Sequence, residues 1–232
     1  PVTSDRFDSY SPAWSRDGKW LYLLSDRHLE SAVGSPWGSL QPEPFFDRPT
    51  KIYMLALLPE LRSPFAPADE LHPAKEAGDK PGEATDAKAK SKPKAADKAD
   101  KPVRVAIDFD GIESRLVEVP VEPGQYADLA VGEEALFFVT RAVVGEKKRA
   151  LAGIAIKNDK PEIKVLASDI QSYELAADGK KLLVRKEEAL AVADAGLEPL
   201  DLDKTKVDLG KWRLSIVPRQ EWRQMFTEAW RL

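Results

Sequence analysis

Short apolar segments separated by turn-forming residues recur along the chain. The clearest pair is residues 10–15 and residues 20–24, with Asp17-Gly18 between them. A tight turn needs positive φ, which Gly adopts freely and Asp tolerates, so an Asp-Gly pair at this place predicts a β-hairpin. Residues 20–24 are aromatic or aliphatic at every position, which indicates a strand buried on both faces.

Two further segments, residues 126–139 and residues 173–184, repeat this arrangement. Aligning Gly132 of the first with Asp178 of the second gives a spacing of 46 residues. Repeats of about 40–50 residues with several short strands each are typical of β-propellers. Other strands are predicted at residues 51–57, 104–108, 115–121, 152–156, 163–166, 189–193 and 211–217. Each repeat then has about four strands, so we expect a mainly β chain: a partial β-propeller of about three four-stranded antiparallel blades.

Two connecting segments differ from the strands in composition. Residues 27–50 are rich in Ser, Gly and Pro but carry Trp37, Phe45 and Phe46, which we expect to pack on a neighbouring surface. Residues 72–102 contain no aromatic residue and no aliphatic residue larger than Ala. They cannot bury enough apolar surface to offset an ordering entropy of about 1–2 kcal/mol per residue, so we predict a disordered insertion. Its Lys residues alternate with Asp and Glu and have no aromatic partner for base stacking, which favours a solvated spacer over a nucleic-acid site.

The pattern changes at Pro218 from strand to helix. A proline suits the first helical position, and Glu221 in the first turn is favourable to the helix dipole. One apolar face follows with helical spacing: Trp222, Met225, Phe226, Ala229 and Trp230. We therefore divide the chain into blades over residues 1–217, including the insertion, and a helix over residues 218–232. Such an apolar helix must dock on another surface, either in a following domain or as a C-terminal cap on the propeller.

Composition excludes several kinds of chemistry. The net charge is −4 and there is no Cys, so neither nucleic-acid binding, a disulfide framework nor a thiolate metal site is indicated. No apolar run has the length of a membrane span. The only histidines, His28 and His72, have no recognisable catalytic partner, and no Gly-x-Ser-x-Gly motif occurs. We predict no catalytic residue, metal or cofactor on this chain.

The sequence resembles the tricorn proteases and their bacterial homologues. The resemblance lies in residues 8–22, 25–27, 31–38, 41–47, 212–214 and 221–232, which cover roughly the first and last quarters of the chain. It implies a parent with a six-bladed propeller, a seven-bladed propeller, a helical domain, a PDZ-like domain and an α/β catalytic domain. The chain would be the last blades of the second propeller and the first helix of the helical domain. The family's catalytic Ser, His and Glu would lie in later domains, so the parent would be a serine peptidase while the chain itself is non-catalytic.

The resemblance also implies a role in guiding or gating peptides. A basic pair is thought to help gate the channel of the family's second propeller, and Arg185-Lys186 is the closest match. The pair follows residues 182–184, which we assign to an inner strand of their blade. The alternative is an exposed basic pair at a strand end. Competing functions are a stand-alone propeller that acts as a protein-interaction scaffold, and an envelope-type propeller that binds peptides or glycans without proteolysis.

Expected partners and compartment follow from the same resemblance. We expect peptide substrates or products, the remaining domains of the parent and a homo-oligomer, with no nucleic acid and no membrane. The chain begins with Pro1 and lacks an initiator Met, so we expect it to be part of a longer protein. The expected compartment is the cytoplasm, or the periplasm if a signal peptide precedes the segment.

Overall fold

Three antiparallel β-sheets and one helix make up the described part of the chain. The computed structural model describes residues 2–3, 6–30, 46–67, 69–70, 103–142, 148–157, 161–210, 212–213 and 215–231. The strands are β1 (Ser9–Trp14), β2 (Trp20–Ser25), β3 (Lys51–Ala56), β4 (Leu116–Glu118), β5 (Tyr126–Val131), β6 (Ala135–Arg141), β7 (Arg149–Ala155), β8 (Lys164–Ser168), β9 (Ser172–Leu175), β10 (Lys181–Lys186) and β11 (Ala189–Asp194). The helix, α1, is Pro218–Arg231, and a short 3₁₀ helix, Ile112–Arg115, precedes β4.

The sheets follow chain order. Sheet 1 has the order β1-β2-β3-β4, sheet 2 the order β5-β6-β7-β8, and sheet 3 the order β9-β10-β11. Each strand therefore pairs with its sequence neighbour, as in a propeller blade. The first strands lie side by side, since β5 contacts β1 on one flank and β9 on the other. The predicted mainly β class and the C-terminal helix are confirmed.

Two predicted strands are absent from the described residues. The described part of residues 211–217 lies outside the sheets, and Trp212 is 79% exposed, so sheet 3 has three strands instead of four. Among the described residues, the outer edge of β11 is met by a bridge between Ala191 and Lys206, with the Val192 amide donating to the Thr205 carbonyl and the Val207 amide to the Leu190 carbonyl. Residues 104–108 also form no ladder: they run past the end of β3, where the Asp108 amide donates to the Leu57 carbonyl at 2.9 Å. Apolar content alone misassigned both segments, because the edges they would have joined are occupied: β4 pairs with β3, and residues 205–207 lie along β11.

The hairpin turns reproduce the repeat seen in the sequence. In the first, the Ser15 amide donates to the Trp20 carbonyl, and the Asp17 carboxylate accepts the Lys19 amide at 3.1 Å. The third turn has the same two bonds. The Ala176 amide donates to the Lys181 carbonyl, and the Asp178 carboxylate accepts from the Lys180 amide. Only the glycines, Gly18 and Gly179, have positive φ there, at 67° and 69°. Leu136 is the second residue of β6 and Leu182 is the second residue of β10. The strands that follow the two turns are therefore 46 residues apart, as the repeat predicts.

Two apolar cores lie between successive sheets. Sheets 1 and 2 enclose one core, and sheets 2 and 3 enclose the other. Alternation along β6 assigns Leu136 and Phe138 to the first core and Phe137 and Val139 to the second. Strand β2 is buried on both faces as predicted: Tyr22 and Leu24 lie in the first core, and Leu23 is 4% exposed on the other face.

The side chain of Tyr173 joins sheet 3 to sheet 2. Its hydroxyl donates to the Phe137 carbonyl at 2.8 Å and also reaches the Asp128 carbonyl. Asp128 has positive φ, 52°, at a bulge in β5, so its carbonyl is free of the β5–β6 ladder. The first strands of two sheets are thereby connected through one phenol.

We expect Tyr173→Phe to lower the free energy of unfolding by about 1–3 kcal/mol, because it removes the hydroxyl that donates to the buried carbonyl of Phe137. Urea denaturation of the purified chain measures the loss. Tyr53→Phe is the matched control, since its hydroxyl bonds the half-exposed carboxylate of Glu118 at 3.2 Å, and water can replace it there. Equal losses in the two variants would contradict the assigned role of Tyr173.

Helix α1 begins at Pro218 as predicted and has the predicted apolar face, and that face is uncovered. No residue of the helix is buried. Trp222 is 66% exposed and Trp230 is 84% exposed. The helix therefore packs on no other described part of the chain. Among the described residues, no helix has the length and apolar character needed to cross a membrane.

Several predictions fall outside the described residues. These are the disordered insertion over residues 72–102, His72, and the packing of Trp37 and Phe45. Phe46 is described and is half-buried. The division at residues 217 and 218 into two domains stays a prediction.

Candidate functional site

The sheets have two distinct ends, and two adjoining clefts lie at one of them. Residues 15–19, 132–134 and 176–180 join the first two strands of each sheet and lie together at what we call the turn end. They surround a cleft of about 860 Å³. Its apolar lining comes from the ends of the strands, with Trp14, Trp20, Val131 and Ile156 among the side chains. Trp14 is half exposed and pairs with Leu21, whereas Trp20 is buried in the core between sheets 1 and 2.

Arg16 crosses this cleft from sheet 1 to sheet 3. Its guanidinium donates from Nη1 to the Ala177 carbonyl at 2.9 Å. It also lies flat against Gly179, where an added Cβ would be only 2.6 Å from Nη1. The absence of a side chain at Gly179 thus serves both the positive φ of the turn and the close approach of Arg16. The first and third turns are held together through this side chain.

A second cleft, of about 880 Å³, opens between sheets 2 and 3 at the same end. Glu133, Ile156 and Lys180 line both clefts, so the two adjoin each other. We call the two together the turn-end groove. Five carboxylates and three cationic side chains line it, which makes the groove acidic.

The carboxylates of the turn-end groove differ in their partners. Asp17 and Asp178 accept amides of their own turns, and Asp194 pairs with Lys181 at 2.6 Å. Glu133 and Glu134 are exposed, and neither side chain forms an ion pair within the described ranges. These two therefore present unneutralised charge at the junction of the clefts. The sequence repeat located the turns, but it gave no sign that their side chains converge on one groove.

The predicted basic pair lies at the opposite end of the sheets. Arg185 and Lys186 close β10, which begins beside the third turn, so neither residue lines the turn-end groove. Strand β10 lies between β9 and β11, which corrects its assignment as the inner strand: β9 is the edge strand next to sheet 2. Arg185 is exposed, Lys186 is half-buried, and the described residues offer neither side chain an ion-pair partner.

A polar cluster occupies the same opposite end of sheet 1. Asp26 accepts from the Tyr10 hydroxyl at 2.9 Å and from the Thr50 hydroxyl at 2.7 Å. Burial, together with the Asp26 carboxylate, raises the pKa of Tyr10 to about 12. Arg27 donates to the buried hydroxyl of Ser25 and lies over the rings of Phe7 and Tyr53. These groups are hydrogen-bonded to one another, so the cluster holds β1 in place. None of them is left available as an acid, a base or a nucleophile.

No catalytic constellation appears in the described parts of the chain. His28 lies 3.3 Å from Glu30 through Nε2, and the described hydrogen bonds pair it with no hydroxyl. Nucleophilic hydrolysis needs a hydroxyl or thiol beside a base, and that geometry is missing from these residues. Among them, no group of three or more His, Cys, Asp or Glu side chains could hold a metal ion. The arrangement can bind or steer a ligand through its groove and charges.

Comparisons with known proteins agree on one family. The family model described as the tricorn protease second beta propeller domain matches residues 1–196. The whole chain aligns at 27% identity with the tricorn protease homolog of Saccharolobus solfataricus and with tricorn protease homolog 1 of Streptomyces coelicolor, covering 19% and 21% of their lengths. The crystal structure of the tricorn protease matches 99% of the chain with a TM-score of 0.63 at 20% identity, which supports the fold, and 20% of that structure is covered. The chain thus spans about a fifth of the length of these relatives. It belongs to the family of tricorn protease second β-propeller domains.

Proposed function

We propose that the chain is a non-catalytic propeller segment of a tricorn-like serine peptidase and guides or gates peptides on their way to or from a proteolytic site elsewhere in the parent. Its family membership supports this role, as does the small share of its relatives that it spans. The observation that carries the proposal is the open turn-end groove, where the turns of all three sheets surround space large enough for peptide side chains.

We assign the gating part of this role to Arg185 and Lys186. Both end β10 at the opposite end of the sheets, and Arg185 extends into solvent. Two adjacent cations attract the carboxylates of peptides, and this attraction acts mainly on encounter and is weakened by salt. The pair would therefore act on peptides that approach or leave at the end away from the turn-end groove.

The test is the double charge reversal Arg185→Glu with Lys186→Glu in the full-length parent. We expect KM for acidic peptides of about ten residues or more to rise several-fold at low salt, with kcat unchanged, because the proposed role concerns access. Very short fluorogenic substrates should be turned over normally. Lys164→Glu, on the outer strand β8, is the matched control.

An unchanged KM for long acidic peptides at low salt would contradict the gating role. The isolated chain serves as a further control and should cleave no fluorogenic peptide. Turnover above that of a heat-treated sample would contradict the non-catalytic assignment.

The exposed helix favours a second candidate, a protein-interaction scaffold. Its apolar face, with Trp222, Phe226 and Trp230, packs on no other described part of the chain. In the main proposal this helix begins a following helical domain over residues 218 onward. A scaffold would retain a binding partner through that face when expressed without further domains, whereas the peptidase segment would not.

The remaining parts of the proposal rest on the family alone. We place the parent in the cytoplasm, or in the periplasm if a leader precedes the segment. Its partners are peptide substrates or products, its own remaining domains and further copies of itself. The proposal involves no cofactor.

A further inference from the structure

We infer that residues 103–109, which we call the strap, pair edge to edge with the same segment of a second copy of the chain. The pairing is antiparallel and two-fold symmetric, with its centre at Ala106. The inference rests on the self-association included in the proposed function, names the surface that carries it and does not depend on the guiding of peptides. Its basis is an extended segment without backbone partners whose sequence is complementary to its own reverse.

The backbone of the strap is unpaired over most of its length. Residues 103–107 are all exposed, and within the described part of the chain none of their amides or carbonyls forms a backbone hydrogen bond. The neighbouring edge of β3 is already occupied by β4. An exposed extended segment rich in β-branched residues is a site at which a strand from another molecule can add.

The contact of Asp108 determines which edge of the strap is open. Its amide donates to the Leu57 carbonyl at 2.9 Å, so this edge is turned towards the end of β3. Alternate residues of an extended segment direct their amide and carbonyl groups to opposite edges. The backbone groups of Val103, Val105 and Ile107 therefore lie along the edge turned away from Leu57, where a second copy can approach.

One face of the strap is apolar and matches itself in the antiparallel register. Its four side chains are 37–66% exposed in the single chain, and the register places Val103 opposite Phe109 and Val105 opposite Ile107. Cross-strand pairs of aromatic and β-branched side chains stabilise antiparallel strands. A shift by one residue would place apolar side chains opposite charged ones, so the register is specified.

The other face of the strap carries complementary charges. The same register places Arg104 opposite Asp108, and two-fold symmetry forms this ion pair twice in the dimer. Within the described ranges neither side chain has an ion-pair partner of its own. Pairing of two copies therefore neutralises four charges that the single chain leaves exposed to solvent or half-buried.

The first hairpin turn holds the strap in its extended form. An added Cβ at Gly18 would lie 2.9 Å from Val103 and 3.0 Å from Val105, so the strap rests directly on this turn. Arg115 also donates to the Asp108 carbonyl. Because the segment is already ordered in the single chain, pairing costs less conformational entropy.

Sedimentation velocity of the purified chain tests the inference. The chain carries Trp222→Gln and Trp230→Gln, which remove two exposed indoles of α1 and so prevent association through the helix. We expect a reversible dimer at about 100 µM, whose dissociation constant rises several-fold as salt is raised.

Charge variants test the register. Arg104→Asp and Asp108→Arg each place like charges opposite one another twice in a dimer of the variant with itself, so each should raise the dissociation constant about tenfold or more. An equimolar mixture of the two variants places opposite charges at both positions. It should form heterodimers with a dissociation constant within about threefold of the parent value, measured with a fluorescent label on one variant.

Proline variants test which edge pairs. Ile107→Pro removes an amide from the open edge and should leave only monomer at about 100 µM. Ala106→Pro is the matched control, because its amide lies on the opposite edge, and it should change the dissociation constant by less than about fivefold. Circular dichroism verifies that each variant keeps the β-sheet signal of the parent chain.

Four outcomes would overturn the inference: a monomeric parent chain at this concentration, a dimer unaffected by the charge variants, no association in their mixture, or equal effects of the two proline variants. A dimer that persists in every strap variant would keep self-association but assign it to another surface. The guiding of peptides has its own readout in the full-length parent through Arg185 and Lys186. A monomeric chain together with a positive charge-reversal result would leave that role standing.

Discussion

Replacing Phe138 by alanine is expected to lower the free energy of unfolding by about 3–5 kcal/mol. Phe138 is fully buried in the core that joins sheets 1 and 2. Its ring meets Tyr126 edge-on, with centroids 4.9 Å apart and planes at 66°. The substitution removes the apolar surface that two sheets share and leaves a cavity, because backbone ladders on both sides prevent the sheets from closing over it.

Urea denaturation of the purified chain measures this loss. Phe138→Leu keeps most of the volume and should cost less than about 1.5 kcal/mol, which gives a graded series if the alanine variant is too unstable to fold. Val165→Ala, at a half-exposed position of β8, should stay within about 0.5 kcal/mol of the parent. A loss below 1 kcal/mol for Phe138→Ala would mean that the two sheets do not depend on their common core.

A steep loss of stability above pH 10 is the second large effect we expect. All five tyrosines have a raised pKa, because burial disfavours the phenolate. Tyr126 is an example, with its pKa raised to about 12 by burial and the nearby Glu122. Since the folded pKa lies above the unfolded value of 10.0, the stabilisation is complete below pH 10 and is lost as the pH rises towards 12.

Tyrosinate absorbance at 295 nm, recorded with circular dichroism along a pH titration, measures this effect. The phenolate signal should be delayed beyond pH 10 and should then rise together with the loss of β-sheet signal, since unfolding releases the buried phenols at once. Tyr126→Phe removes one such group and should make the transition less steep. Normal titration of several tyrosines near pH 10 in a chain that keeps its β-sheet signal would contradict the burial of these phenols.

The hairpins and the buried strands were predictable from the sequence because their signals are local. The Asp-Gly turns at residues 17–18 and 178–179 and the apolar run of β2 lie within a few residues of one another, and local hydrogen bonds satisfy them. Helix α1 was equally predictable, because spacing of apolar positions and a proline at the first turn are local features. The prediction of strands at residues 104–108 and 211–217 was wrong. A strand also needs the edge of a neighbouring strand with which to pair, and no local pattern shows whether that edge is available.

The candidate site was only partly predictable. The basic pair Arg185 and Lys186 was visible in the sequence, but its place on the middle strand of sheet 3, away from the clefts, depends on strand order. Trp14, Arg16 and Glu133 had no motif to mark them. Glu133 lies far from the other two in the chain, and all three line one cleft because three turns are stacked at one end of three sheets.

The sequence by itself determined the class of fold: hydrophobic periodicity and turn chemistry are properties of neighbouring residues, so they define strands, hairpins and the helix without reference to the rest of the chain. Only the tertiary structure decided which sheet edge a strand joins, which phenol bonds the next sheet and which side chains share a groove. Those outcomes depend on contacts between residues distant in sequence, such as Arg16 with Ala177, and on the packing of whole sheets against each other.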